Sequence, residues 1–178
     1  MTPRHLQSSC RFLVCIALMA SALLVCARPG FAADKRPLVL KAAIVYNFTG
    51  FANWVDSDRK APLNICVSED ADIAAALQAI SAAQSNSSKP VVMLLTRERL
   101  NECDFAYLSK SATQSEFPAQ LLEIGAVTIS SERGFTDIGI IELIQVGRQH
   151  RFEINNTLAT NAGIELSSRL LRIAIRVH

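Results

Sequence analysis

The first clear pattern in the chain is a run of apolar residues at helical spacing between Lys41 and Trp54. Apolar side chains recur there every three or four positions, which predicts an amphipathic helix with one buried face. Gly50 is the weak position of this helix, because glycine costs roughly 1 kcal/mol relative to alanine in a helix interior. The predicted apolar face consists of Ile44, Phe48, Phe51 and Val55.

Short apolar runs follow, separated by segments of helical pattern. This alternation of strands and helices predicts an α/β layered sandwich with a mostly parallel sheet. The predicted strands cover residues 63–67, 91–95, 103–108 and 127–130. The predicted helices between them cover residues 73–83 and 115–124.

The last third of the chain has a different pattern. A loop with two glycines over residues 131–139 precedes two apolar runs, 140–146 and 150–154, which flank Gly147 and Arg148. Such a pair of runs predicts a β-hairpin. Two helices are predicted after the hairpin, the first from Asn155 or Asn156 to Gly163 and the second from Ser167 or Ser168 to Ile175.

The N-terminus has the three-part pattern of a secretory signal peptide. An apolar run over residues 12–27 follows Arg11, and Ala32 supplies a small residue at the expected cleavage site. The run is shorter than the roughly 20 residues that span a bilayer, and a retained membrane anchor is the alternative. We therefore predict a signal peptide over residues 1–33 and a single exported domain over residues 34–178.

The basic balance of the whole chain comes from this N-terminal segment. The chain has 18 lysines and arginines and 16 acidic residues. The segment holds Arg4, Arg11 and Arg28 and no acidic residue, so residues 34–178 carry 15 basic and 16 acidic side chains. A formal charge of about −1 gives no electrostatic reason to expect nucleic acid as a partner.

Cys66 and Cys103 are the two cysteines that remain after the predicted cleavage. Each stands at the edge of a predicted strand, and an exported protein folds in an oxidising space. One Cys66–Cys103 disulfide is therefore predicted, and two free, buried thiols are the alternative. Closing this loop of about 37 residues would stabilise the fold by roughly 4 kcal/mol in the chain-entropy account.

The residues that catalysis or metal binding requires are sparse. Beyond the signal segment the chain has two histidines, His150 and His178, and no nucleophile elbow, phosphate loop, metalloprotease helix or dinucleotide-binding turn. The histidines and cysteines lack metal-ligand spacing, and the acidic group at residues 69–72 fits a helix N-terminus. The sequence therefore predicts no catalytic residue, no metal and no cofactor, in a protein that is not an enzyme.

The last predicted helix carries a row of cations. Arg169, Arg172 and Arg176 lie at positions i, i+3 and i+7, on one face, and His178 follows the helix. Guanidinium groups in such a row could bind a phosphate, a carboxylate or an acidic partner surface. The alternative is a solvent-exposed face whose cations stabilise the C-terminal end of the helix.

Two single residues in the second half are further candidates. Phe135 stands between Gly134 and an acidic turn. On an exposed loop tip Phe135 would contact a partner, whereas folded back it would fill the core. Asn155 follows a predicted strand and is expected to cap the next helix by accepting from its backbone N–H groups.

Motifs in both halves of the chain have the order and spacing of the YfiR family. In the first half they are Lys41-Ala42-Ala43, Tyr46-Asn47-Phe48 with Trp54, Cys66 and Cys103. In the second half they are Gly134-Phe135 with Gly139, Arg151-Phe152-Glu153-Ile154-Asn155, Ala162-Gly163-Ile164, and Ser167-Ser168 with Leu170-Leu171. The chain resembles this family over about residues 38–177 and departs from it at Ile140, where the family commonly has glycine.

The resemblance implies a periplasmic regulatory protein. Such a protein would dock on the periplasmic domain of an inner-membrane diguanylate cyclase, hold it inactive, lower cyclic di-GMP and restrain biofilm formation. A homodimer is also implied by the family, and the Cys66–Cys103 bridge would provide a redox input. The alternative function is a periplasmic module that binds a small anion through the C-terminal arginines and acts on another membrane receptor, such as a sensor kinase.

Overall fold

The computed structural model of the protein describes residues 36–55, 59, 61–147 and 149–178. The predicted signal peptide at residues 1–33 and the hairpin position Arg148 lie outside the described residues. In the described part of the chain, every helix is too short or too polar to cross a lipid bilayer.

A seven-stranded, mostly parallel sheet forms the centre of the domain, as the sequence predicts. The described strands are β1 (Ala52–Trp54), β2 (Asn64–Val67), β3 (Val91–Leu94), β4 (Phe105–Leu108), β5 (Val127–Ser130), β6 (Ile141–Val146), β7 (Gln149–Ile154), β8 (Ile164–Leu166) and β9 (Arg176–Val177). Strands β3, β2, β4, β5 and β6 are neighbours in that order and run parallel. Strand β7 pairs antiparallel with β6 to form the predicted hairpin, and β9 lies parallel to β7 at the edge.

Six α-helices are described, and side-chain caps begin several of them. They are α1 (Arg36–Phe48), α2 (Ala71–Ala82), α3 (Lys110–Thr113), α4 (Phe117–Glu123), α5 (Asn156–Asn161) and α6 (Ser168–Ile173). Asn155 accepts a hydrogen bond from the Leu158 N–H, and Ser167 accepts one from the Leu170 N–H, so both predicted caps are confirmed. These caps fix where the last two helices begin.

The sheet separates two apolar clusters, because successive residues of each strand point to opposite faces. On β2, Ile65 and Val67 enter the larger cluster with helices α1, α2, α5 and α6, whereas Cys66 enters the smaller one with α3 and α4. The layered sandwich predicted from the strand and helix pattern is therefore confirmed.

The prediction for the first helix is wrong beyond Phe48. Helix α1 ends there, because the Thr49 hydroxyl bonds back to the Tyr46 carbonyl oxygen at 2.8 Å and a turn follows at Gly50. The buried side chains of α1 are Ala42, Val45 and Phe48, and the other three predicted face positions lie only partly buried or exposed. These three are Ile44, Phe51 and Val55.

The segment after this turn forms strand β1 instead of more helix. Strand β1 pairs antiparallel with β8, with Ala52 opposite Leu166 and Trp54 opposite Ile164, in a small second sheet. The ladder with β8 satisfies the backbone groups of β1, so tertiary pairing overrides the local helical pattern.

The prediction for the last helix is wrong at its C-terminal end. Helix α6 ends at Ile173, and Arg176 belongs to strand β9. The Ile175 N–H bonds to the Phe152 carbonyl oxygen at 2.9 Å, which draws the chain away from the helix and onto the sheet edge. Arg176 therefore does not continue the helical row that begins at Arg169.

Candidate functional site

The Cys66–Cys103 disulfide is present in the structure. It joins β2 to Cys103, two residues before the start of β4, and both cysteines are buried in the smaller apolar cluster. The bond therefore fixes two neighbouring strands of the parallel sheet to one another from the face that carries α3 and α4.

A half-buried cation lies beside this bond, in a cluster that the sequence did not predict. The Arg59 guanidinium forms a 3.0 Å ion pair with the Asp104 carboxylate and donates to the Cys103 and Ile124 carbonyl oxygens. It also lies 5.0 Å from the centre of the Trp54 ring. Because Trp54 is part of β1, Arg59 connects the small sheet to the start of β4.

Replacing Arg59 by alanine is expected to lower the free energy of unfolding by about 2 kcal/mol, the usual range for hydrogen bonds to charged groups. The Asp104 carboxylate, which also accepts from the Asn64 N–H, would lose its ion-pair partner in a mostly buried place. Urea denaturation of Arg59→Ala checks this. The exposed Arg97 supplies the control, and equal midpoints for Arg59→Ala and Arg97→Ala would contradict it.

The structure separates the predicted row of C-terminal cations into two groups. Arg169 and Arg172 lie exposed on α6. Arg176 and His178 meet at one carboxylate, because Arg176 Nη1 lies 3.3 Å and His178 Nε2 lies 3.5 Å from the same oxygen of Glu153. Sequence spacing alone suggested one helical face; the strand β9 instead places two of the four residues against the hairpin.

A cavity of about 390 Å³ opens next to this cluster. Its wall is formed by strands β6, β7 and β9 and by the turn that contains Phe135. The charged side chains that line it are Arg133, Asp137, Glu142, Glu153, Arg176 and His178.

Two of these carboxylates face each other across the hairpin. Glu142 and Glu153 are direct partners in the β6–β7 register, and each residue is buried. Like charges directly opposite in a sheet repel each other, so this pair costs stability unless cations or donors lie close. Glu153 has Arg176 and His178, whereas one Glu142 oxygen has the Thr136 N–H at a long 3.5 Å.

Phe135 does not stand on an exposed loop tip. It is buried in the smaller apolar cluster, which is the second of the two outcomes considered for it. Its ring lies against Gly139 so closely that a Cβ at that position would stand 2.2 Å from the ring carbon Cζ. Asn155 completes this turn, since its side-chain amide donates to the Thr136 carbonyl oxygen at 2.8 Å.

Among the residues that the structure describes, no group of three or more histidine, cysteine or acidic side chains is arranged to hold a metal ion. The described chemistry at the cavity is therefore that of charged side chains and backbone groups. Such a set can bind a ligand or a partner surface by ion pairs and hydrogen bonds.

Comparison with known proteins identifies the family of the chain. A model of the YfiR/HmsC-like family matches residues 39–175. A comparison with curated protein sequences finds no match.

Solved structures resemble the chain in fold alone, at low sequence identity. One is a conserved domain protein from Vibrio cholerae O1 biovar El Tor, with 13% identity and a TM-score of 0.54. Another is described as an ABC domain in complex with L-Trp from Streptococcus pneumoniae, with 10% identity and a TM-score of 0.50. Each match covers 80% of this chain and 60% of the other chain, so the chain spans less than two thirds of either.

The family match, in contrast, runs from helix α1 to the last residues before β9 and includes both cysteines of the disulfide. The chain belongs to the YfiR/HmsC-like family.

Proposed function

We propose that this protein is a periplasmic regulator that binds the periplasmic sensor domain of an inner-membrane diguanylate cyclase and holds the cyclase inactive. The observation that carries the proposal is the family match over residues 39–175. The proposal assigns the protein a binding role and no catalytic step. In this account residues 1–33 direct export and are removed, and the homodimer implied by the family stays a prediction.

The physical requirement for such a regulator is a difference in affinity. A protein that binds the inactive state of a cyclase more tightly than the active state shifts the cyclase toward inactivity by that ratio of affinities. A rigid binding surface serves this purpose, because little conformational entropy is lost on docking. The Cys66–Cys103 disulfide and the Arg59 cluster, which fix β1, β2 and β4 together, support that rigidity.

Deleting the gene is expected to raise cellular cyclic di-GMP and biofilm formation, since the cyclase would lose its inhibitor. Measurement of cyclic di-GMP by mass spectrometry in the deletion strain checks this. A plasmid that expresses the whole chain should restore the low level, whereas a plasmid that expresses residues 34–178 without the export signal should not.

Two results would contradict the proposal. Unchanged cyclic di-GMP in the deletion strain would remove the regulatory role. Full restoration by residues 34–178 kept in the cytosol would remove the periplasmic site of action. A membrane protein with a cytoplasmic cyclase domain, encoded next to this gene, is the first partner to test by co-purification.

A further inference from the structure

The cavity between the β6–β7 hairpin, strand β9 and the turn at Phe135 has a charge balance that no described contact completes. We propose that it binds a small organic cation with a primary ammonium group on a short alkyl chain. The proposal does not depend on the cyclase contact proposed above and rests on the described residues of the cavity alone.

Glu142 on strand β6 carries the carboxylate of the proposed site. This residue is 6% exposed and lines the cavity. In the described part of the chain no ion pair reaches its carboxylate, and the Thr136 N–H at 3.5 Å is its one hydrogen bond. A carboxylate that is largely removed from water and holds one long hydrogen bond is stabilised by a cation that reaches its free oxygen.

The Glu142 carboxylate has a second oxygen that no described donor contacts. Across the described residues, no buried side-chain oxygen or nitrogen lacks a hydrogen-bond partner. Because Glu142 has one bonded oxygen and is not exposed, its second oxygen must remain accessible from the cavity. A donor inside the cavity can therefore reach it.

The other charged side chains of the cavity wall differ from Glu142 in their surroundings. Glu153 is already compensated, since Arg176 and His178 lie on one of its oxygens. Among the described contacts, no ion pair reaches Asp137 or Arg133, which both line the cavity. Asp137 and Arg133 are exposed to water, so Glu142 is the buried carboxylate of the described wall that has no cation within ion-pair distance.

The volume and the lining of the cavity fit a small organic cation. A volume of about 390 Å³ lies within the usual range of roughly 300–1,000 Å³ for small-molecule sites. Ile144 lies two residues from Glu142 on the same face of β6 and supplies an apolar wall next to the carboxylate. An ammonium group on Glu142 with a short alkyl chain on Ile144 satisfies both.

Isothermal titration calorimetry of residues 34–178 tests the proposal with four probes that share a four-carbon chain. n-Butylammonium is expected to bind, and 1,4-diaminobutane is expected to bind more tightly because Asp137 offers a second carboxylate. Butyrate and 1-butanol are expected to give no heat of binding. Tighter binding of butyrate than of n-butylammonium would overturn the proposal and assign the cavity to an anion held by Arg176 and Arg133.

The variant Glu142→Gln removes the charge and keeps the shape. Its affinity for n-butylammonium is expected to fall at least about tenfold, the loss that one charge-assisted hydrogen bond brings. Glu165→Gln, an exposed glutamate on β8, is the matched control and should bind as the unchanged protein does. Equal affinities of the unchanged protein, Glu142→Gln and Glu165→Gln for n-butylammonium would overturn the proposal. This holds whether or not Glu142→Gln has the thermal midpoint of the unchanged protein.

Discussion

Removing the disulfide is expected to lower the free energy of unfolding by about 4 kcal/mol. The bond closes a loop between residues separated by 37 positions, and it restricts the unfolded chain accordingly. Urea denaturation of Cys66→Ala with Cys103→Ala, set beside the unchanged protein, measures this loss. Alanine is the replacement of choice because both sites are buried and apolar.

A reducing agent provides the control for this experiment. Dithiothreitol should destabilise the unchanged protein to nearly the level of the double variant and should leave the double variant as it is. A midpoint that is the same with and without the bond would show that Cys66 and Cys103 do not restrict the unfolded chain. The variant should also fail to lower cyclic di-GMP if the rigid sheet is what the cyclase recognises.

Replacing Phe135 by alanine is expected to cost about 4 kcal/mol, within the range for a buried phenylalanine. The ring fills the smaller apolar cluster, and its removal leaves a cavity under the turn. Thermal and urea unfolding of Phe135→Ala check this. Ile138→Ala is the control from the same turn, because Ile138 is 46% exposed and should change stability by about 0.5 kcal/mol or less.

Gly139 makes the Phe135 prediction sharper through a double-mutant cycle. Alone, Gly139→Ala should cost about 1–3 kcal/mol, since its Cβ would stand 2.2 Å from the Phe135 ring. In the Phe135→Ala background the same change meets no ring and should cost far less. Costs that simply add would contradict the close contact between the two residues.

The central sheet could be predicted from sequence because its signals are local. Each apolar run from β2 to β5 is bounded by polar residues and reads as a strand by itself. Strands β1 and β9 could not be predicted in this way. They exist because a distant partner satisfies their backbone groups, β8 in one case and β7 in the other, and no local pattern carries that information.

The candidate site was predictable in part. The sequence predicts Arg176 in one helical row with Arg169 and Arg172, with His178 just beyond the helix. Helix α6 ends at Ile173, and this changes the surroundings of Arg176 and His178. The pairing of Glu142 with Glu153 could have been predicted from the two apolar runs of the hairpin. The register of the hairpin, in which Val146 pairs with Gln149, places these two glutamates opposite each other.

The Arg59 cluster had no such signal. Arg59 stands in a charged segment that reads as a solvated turn, and its partners come from different parts of the chain. The long contacts to Asp104 and Ile124 depend on the packing of the finished fold. A cation in a polar segment is therefore predicted to be exposed, and only the tertiary structure shows that Arg59 is half-buried.

Because β1 pairs with β8, strand β1 cannot form its ladder until β8 has been synthesised. Synthesis runs from the N-terminus, so Trp54 emerges long before Leu166, and the early strand has no mate in the meantime. Closing so long a loop is slow, and an unpaired strand invites other chains to add to it. The need for a chaperone should accordingly be greatest in the interval before Leu166 is synthesised.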